Sequence, residues 1–484
     1  MAPFSLRDRL INLDPAWFTT AMGTGALMQS YLNEPYPITG GPRWLRDIAY
    51  ILWIIDIVLT GSFLVLILLR WMIWPWTLRK NLLEFPGNSF LGAIPISINT
   101  IIIGIIGFYD YRTSARWAAF VLWWVSLVLT LFVGVVVFCL DTTHIAPSTV
   151  TLDKIAGLWV MSTVPLFTLA GAGANLSNYL THESTKCAVA VTMISWLVWG
   201  WGVLFLTLIL SIYLWRLVSQ KLPPPLLQST SYLPVAALSQ GAYAVWELSI
   251  FLGGLIRSGF GPTQVVHPPL ADMIRSSTAE SIHWAGILIM LLMLGQASVW
   301  LVQATVGMLY QRPKNFHVGW WSLVFPWASY ANAWAAISRD LRNNGMRGWA
   351  DTHIVISTIL WLFCAGMTVW FGFIKGDMFS SPGLDEWNPA KQKEREEQER
   401  QQQKSQKSQE QEDKDNQREE WEKQVLKEDA RNRAREREQE QARSAERRNQ
   451  ESDHESYMYD LRRRPSSEFG RDPELGLNGN GKAH

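Results

Sequence analysis

Asp14-Pro15-Ala16-Trp17-Phe18-Thr19-Thr20-Ala21-Met22-Gly23-Thr24-Gly25-Ala26-Leu27 decides how this chain folds, because four more stretches repeat its character. They lie at 90–100, 161–175, 232–243 and 320–332, each with a proline near its start or middle and Gly, Ser, Thr, Ala or Asn close by. The five prolines, Pro15, Pro95, Pro165, Pro234 and Pro326, fall roughly 70 to 90 residues apart. Between them run stretches of another kind, such as 120–140, which is almost continuous Val, Leu, Phe and Trp. The alternation predicts two kinds of helix. One is small, kinked and polar, and suits a pathway. The other is bulky and apolar, and suits lipid.

Working outward, ten apolar stretches fill the chain at about 15–32, 48–73, 88–108, 116–140, 155–178, 188–216, 231–255, 281–309, 318–337 and 352–375. A spanning helix needs about 20 apolar residues, since a rise of ~1.5 Å per residue must cover a core of ~30 Å. Lipid offers the backbone no hydrogen-bond partners, so helices are the form expected. The reading is an all-α integral membrane protein: ten transmembrane helices, arranged as five helical hairpins around a central pore. The second, sixth and eighth stretches are long enough to tilt or project past the bilayer. Several of Trp44, Trp53, Trp71, Trp74, Trp76, Trp123 and Trp124 fall near span ends, as an interfacial belt requires.

The 484 residues are 48% hydrophobic, yet the mean hydropathy is only +0.04. Two unlike parts are being averaged. A short cytosolic N-terminus at 1–14 precedes a membrane domain at 15–377, and a polar, charged tail follows at 378–484. Within 391–450 the large apolar residues are Trp421, Val425 and Leu426, too few for a core or a heptad seam. The tail is expected to be disordered, or a single solvated helix held by i,i+4 ion pairs. An even number of spans puts both termini on one side, and so charged a tail crosses a membrane poorly without a signal. Both termini are therefore expected in the cytosol. The first apolar stretch has no A-x-A cleavage site after it, so no signal peptide is expected. Cys139, Cys187 and Cys364 lie far apart and suggest neither a disulfide framework nor a zinc site. A formal net charge of +1 gives no bias toward nucleic acid.

Ionisable residues deep in a span are costly and call for a functional reading. Asp56 and Glu247 are the deepest here. Asp56 reads equally as a coupling carboxylate or a hydrogen-bonded packing residue; Glu247 is the better proton-coupling candidate, because its helix belongs to the proline-bearing set. The pairs Asp141 and His144, Glu280 and His283, and Asp351 and His353 sit near span ends and read as interfacial. H-E-x-x-H, P-loop, G-x-S-x-G and dinucleotide fingerprints do not occur, so neither a metal nor a cofactor is expected and hydrolase or ATP-driven chemistry is disfavoured. The pathway lining is expected to be uncharged: Thr20, Thr24, Ser97, Thr100, Ser162, Thr163, Ser239, Gln240, Ser329 and Asn332, with Thr19 and Asn99 beside them. Hydroxyls and amides bind an anion while still releasing it, which conduction needs. Pro95, Pro165, Pro234 and Pro326 are expected to kink their helices.

The motifs resemble the tellurite-resistance/dicarboxylate transporter family, which includes fungal malic acid transport proteins, fungal sulfite efflux pumps and plant slow anion channels. The matching residues are Pro15-Ala16-Trp17-Phe18 with Met22-Gly23-Thr24-Gly25; Arg43-Trp44-Leu45-Arg46; Ser89-Phe90-Leu91-Gly92-Ala93-Ile94-Pro95; Lys221-Leu222-Pro223-Pro224; Asn315-Phe316-His317-Val318-Gly319-Trp320-Trp321; and Val324-Phe325-Pro326. The resemblance covers about residues 10–376. It implies a pore lined by the five odd-numbered helices and closed midway by a phenylalanine, matched here by Phe325, and it implies a homotrimer with one pore per subunit. Two stretches depart from the family pattern, Pro234-Val235-Ala236-Ala237-Leu238-Ser239-Gln240-Gly241 and Pro326-Trp327-Ala328, where Trp327 would narrow or reshape the path.

The expectation is a plasma-membrane transporter of a small anion, a C4-dicarboxylate such as malate or sulfite, moving it outward or with protons. Two rivals remain at this point: a gated passive anion channel, and a non-transporting membrane receptor or scaffold.

Overall fold

The computed structural model describes residues 6–33, 43–85, 87–137, 139–140, 152, 155–259, 268–313, 315–374 and 389–461. Its helices are α1 (Leu6–Ile11), α2 (Phe18–Leu32), α3 (Arg43–Ile73), α4 (Pro75–Leu83), α5 (Ala93–Tyr109), α6 (Thr113–Leu131), α7 (Val164–Leu180), α8 (Thr185–Gln220), α9 (Leu233–Arg257), α10 (Pro268–Tyr310), α11 (Val324–Asp340), α12 (Asn344–Thr368) and α13 (Pro389–Leu461). The described residues contain helices and no strand. The segment holding Asp141 and His144 lies outside them.

Eight helical stretches among the described residues are long and apolar enough to cross a membrane. They correspond to eight of the ten expected spans. The other two occur as α2 and α11, of 15 and 17 residues. Their Thr, Gly, Ser, Asn and Ala content keeps them below the apolarity of a lipid-facing span.

Five helices close a ring: α2 packs on α5, α5 on α7, α7 on α9, α9 on α11, and α11 back on α2. Five others lie outside it. Of these, α3 touches α2 and α5, α6 touches α5 and α7, α8 touches α7 and α9, and α12 touches α11 and α2. The fifth, α10, packs on α9 and barely reaches α11. Burial separates the two sets. In the most apolar windows of the α7 and α9 stretches 89% of residues are buried, against 28% for α3 and 22% for α12. The outer helices present Leu, Val, Ile, Met and Trp side chains outward, as lipid contact requires.

Each ring helix is preceded by a 3-10 turn: Pro15–Trp17, Gly87–Gly92, Gly157–Ser162, Pro225–Tyr232 and Val318–Leu323. These turns also touch one another in a closed cycle. The approach is backbone to backbone. A Cβ at Gly92 would lie 2.5 Å from the Met161 carbonyl oxygen, and one at Gly157 would run into the Thr230 carbonyl. Pro95, Pro165, Pro234 and Pro326 sit in the first turn of α5, α7, α9 and α11, directly after these 3-10 turns. Each 3-10 turn runs straight into its ring helix, as the Leu233 N–H bonding the Thr230 carbonyl and the Val324 N–H bonding the Trp321 carbonyl show, so these prolines sit at the junction of the two helical types. The prolines thus mark a change of helical type rather than a break in mid-helix.

The chain divides into two compact units, Met1–Gln392 and Lys393–His484. The second is dominated by α13, whose 73 residues span about 110 Å at ~1.5 Å each. Its described side chains are exposed throughout, and ion pairs one turn apart, Arg418–Glu422 and Lys423–Glu419 at 3.5 Å and Arg433–Asp429 at 3.6 Å, line it. Over 389–461 the tail takes the second of the two forms expected, a single exposed helix.

Candidate translocation pathway

Phe325 is the second residue of α11 and is wholly buried in the main apolar cluster, together with Phe18, Phe167, Leu166 and Leu238 from three other ring helices. It therefore sits just inside the cycle of 3-10 turns. Trp327, two residues on, turns the other way. It stacks on His353 at 5.3 Å and lines a groove of about 830 Å³ between α10, α11 and α12. That groove opens where α10 leaves α11 uncovered, so Trp327 shapes a lateral face.

Most of the expected lining hydroxyls are occupied by their own backbone. Thr20 donates to the Trp17 carbonyl at 2.8 Å, and Thr24 to Thr20 at 2.7 Å while accepting the Trp361 indole at 2.9 Å. Ser97 donates to Ala93 at 2.9 Å. Ser162 and Thr163 donate to Trp159 and Val160, at 2.9 and 2.8 Å. Such local bonds are the usual fate of Ser and Thr in helices. Asn99 bridges three elements, donating to Thr168 at 3.0 Å and accepting from Ser126 at 2.7 Å.

Asp56 belongs to an outer helix, α3, but its wholly buried carboxylate points at the ring. It accepts from Thr100 on α5 at 2.7 Å and from Thr60 at 3.2 Å. Gly25 of α2 makes the room, since a Cβ there would lie 2.6 Å from Asp56 Oδ2.

On α9 and α11 the side chains pair across helices instead. Gln240 donates to Ser329 at 3.0 Å. Asn33, the residue capping α2, donates both to Asn332 at 2.9 Å and to Tyr243 at 3.1 Å. Tyr243 donates in turn to Glu247 at 2.7 Å. Beyond it, Asp340 accepts the Trp246 indole at 2.5 Å and pairs with His283 at 3.0 Å, and the Arg339 guanidinium lies over the Trp246 ring. The sequence reading missed Asn33, Tyr243 and the Asp340–His283 pair. Asn33 follows the first span directly, where a cap is expected, and that position was its signal.

At the opposite end His317 precedes the last 3-10 turn. Its Nδ1 accepts the Gly319 N–H at 3.1 Å, and burial lowers its pKa below the ordinary 6.5. Among the described residues no three His, Cys, Asp or Glu side chains are grouped to hold a metal.

Comparison with known proteins gives the family of this chain. The model of the family described as voltage-dependent anion channel (SLAC1) matches residues 12–369. The sulfite efflux pump SSU1 of Arthroderma benhamiae is 26% identical over 364 residues, covering 74% of this chain and 90% of its own length. An uncharacterized transporter of Methanocaldococcus jannaschii is 22% identical over 67% of this chain and 84% of its own. The malic acid transport protein of Schizosaccharomyces pombe is 20% identical over 79% and 83%. These are transporters and channels, not enzymes. The apolar helices and the matched region together make this a multi-pass membrane protein, and the chain belongs to the voltage-dependent anion channel (SLAC1) family.

Proposed function

We propose that this chain carries a small anion, sulfite first and a C4-dicarboxylate such as malate second, out of the cell through the ring of α2, α5, α7, α9 and α11. The observation that carries this reading is the closed ring itself, whose interior holds uncharged hydrogen-bonding side chains around a wholly buried Phe325. Uncharged donors favour an anion that must also be released. The likeness to sulfite efflux pumps over three quarters of the chain supports the order of substrates.

In this reading α2 and α11 also cross the membrane. They make ten spans in five hairpins, α2 with α3, α5 with α6, α7 with α8, α9 with α10 and α11 with α12. Phe325 is the gate. Both termini face the cytosol, the location is the plasma membrane, and the assembly is a homotrimer. Glu247 is the residue through which protons are coupled to flux, and Asp56 is the second such carboxylate.

The test is flux from proteoliposomes loaded with radiolabelled sulfite or malate, under an imposed pH gradient and under voltage alone. Saturable flux that needs the pH gradient supports the carrier. Flux that follows voltage alone favours the second reading, a gated passive channel, for which the full burial of Phe325 is the specific observation. Transport of neither anion sinks the substrate assignment.

A further inference from the structure

The five ring helices are not equivalent in what they offer a solute. On α2, α5 and the 3-10 turn leading into α7, Thr20, Thr24, Ser97, Thr100, Ser162 and Thr163 each have a carbonyl of their own segment within bonding distance. On α9, α11 and the 3-10 turns before them, Ser229 Oγ, Ser239 Oγ, Ser322 Oγ and Asn332 Nδ2 have no hydrogen-bond partner. All four residues are at most 1% exposed. Other buried side chains, such as Thr130 and Ser195 on outer helices, are also unpaired, so what calls for an explanation such as a missing ion or water is the grouping of four along one pair of ring helices.

These residues share one seam. The 3-10 turns Pro225–Tyr232 and Val318–Leu323 pack together, as α9 and α11 do above them. A Cβ on Gly319 would lie 3.6 Å from Ser229 Oγ, which places that hydroxyl against the second turn. Further along, Gln240 and Ser329 join the two helices at 3.0 Å. Ser329 and Asn332 are three residues apart on α11, and Ser239 and Tyr243 four apart on α9, so each pair lies on one helix face. The Asn332 amide is held in place at its oxygen, which accepts from Asn33 at 2.9 Å. That leaves Asn332 Nδ2, a group that can only donate, without an acceptor. Among the described residues of α2, α5 and α7 the orphaned side-chain amide is that of Gln29 on α2, the neighbour of α11.

We propose that the transported anion is recognised on one side of the ring only, by a ladder of hydrogen-bond donors along the α9–α11 seam: Ser229, Ser322, Ser239 and Asn332. The Ser and Thr side chains of the other ring helices stay with their own backbone and off the path. The ligand class is an oxyanion, whose several acceptor oxygens pass from one donor to the next. This rests on the reading of the ring as the path of an anion.

The test replaces Cys139, Cys187 and Cys364 by serine or alanine in the full chain, then introduces single cysteines for reaction with a negatively charged methanethiosulfonate. Ser229→Cys, Ser239→Cys, Ser322→Cys and Asn332→Cys are expected to react, and Ser97→Cys and Thr163→Cys to stay unmodified. The series is repeated with Phe325→Ala, so that a closed gate does not hide the pattern. Equal reaction at all six positions, reaction confined to α5 and α7, or no reaction in either background overturns the ladder. In parallel, Ser239→Ala and Ser322→Ala are each expected to lower sulfite flux about ten-fold, the loss of one charge-assisted hydrogen bond. Thr192→Val, which removes an equally buried but self-bonded hydroxyl on α8, should leave flux unchanged. Unchanged flux in both serine variants also overturns the ladder. A parent protein that moves neither sulfite nor malate refutes the substrate assignment, while the modification pattern still decides the ladder.

Discussion

The Thr100 hydroxyl lies 2.7 Å from Asp56 Oδ2, and Gly25 from a third helix leaves just enough room for the pair. One contact thus ties α5 and α2 to the outer helix α3. Thr100→Val would remove a donor from a wholly buried carboxylate, at a cost of about 1–3 kcal/mol. Gly25→Ala would force a methyl into the same space, with an overpacking cost of about 1–3 kcal/mol. Both should lower the thermal midpoint of the purified protein in detergent. Asp56→Asn keeps the shape and one acceptor oxygen. It should be milder than either change, and a stability equal to that of Thr100→Val would contradict this account.

Phe325 should control how much passes rather than what passes. It is wholly buried on the ring helix α11 beside the 3-10 cycle. Phe325→Ala should raise anion flux or current at every voltage while preserving the ratio of sulfite to malate. Phe325→Leu should fall between the two. Flux that drops in the alanine variant, with folding intact by thermal melt, would reassign Phe325 to packing.

The two kinds of helix were legible in the chain because burial on all sides and exposure to lipid demand different residues. The five proline-bearing stretches became the ring and the Val- and Leu-rich ones the outer set. The 3-10 turns were not legible, because whether Pro95 or Pro326 breaks a helix or starts its α-helical part depends on the residues before it being held by neighbouring turns. Asp56 was visible as a charge in a span, yet its partner Thr100 lies 44 positions away, and periodicity does not choose between Thr100 and Thr24 for that role. Trp327 follows a proline in a ring helix and read as pathway; the groove that receives it exists because α10 stands away from α11, which is a matter of tertiary packing.

His317 should give the protein an acid-sensitive element at the mouth. Its Nδ1 accepts the Gly319 N–H, which requires a neutral ring nitrogen, and burial pushes its pKa below the ordinary 6.5. A histidine depressed in the folded state stabilises fully above its unfolded pKa. That contribution declines as pH falls below about 6.5 and is gone below the folded value. Thermal midpoints measured from pH 7.5 downward should therefore fall below pH 6.5 more steeply in the parent than in His317→Asn, whose side-chain oxygen can still accept the Gly319 N–H. Parallel curves would remove His317 from the account.

Removing 393–484 should leave the membrane unit intact. The helix α13 has exposed side chains wherever they are described, and its i,i+4 ion pairs contribute only about 0.3–0.5 kcal/mol each. Flux per molecule in proteoliposomes should match the full chain, with at most a change in regulation or amount at the membrane. Loss of all flux in a truncated protein that still melts cooperatively would favour the receptor or scaffold reading instead.

Glu247 offers the sharpest test of coupling. Its carboxylate accepts from Tyr243 at 2.7 Å, and Tyr243 in turn accepts from Asn33, which also holds Asn332. Glu247→Gln keeps the size and an acceptor oxygen for Tyr243 but cannot bind and release a proton. If protons pass through Glu247, the variant should lose the response of flux to a pH gradient while keeping the flux driven by the anion's own gradient. Tyr243→Phe breaks the link between Glu247 and Asn33 without touching the carboxylate's ability to titrate. It should preserve the pH response and weaken anion recognition at Asn332, seen as a raised half-saturating concentration. A pH response unchanged in Glu247→Gln would leave Glu247 a positioning residue that acts through Tyr243 and Asn33 on Asn332, and the two variants would then share one phenotype.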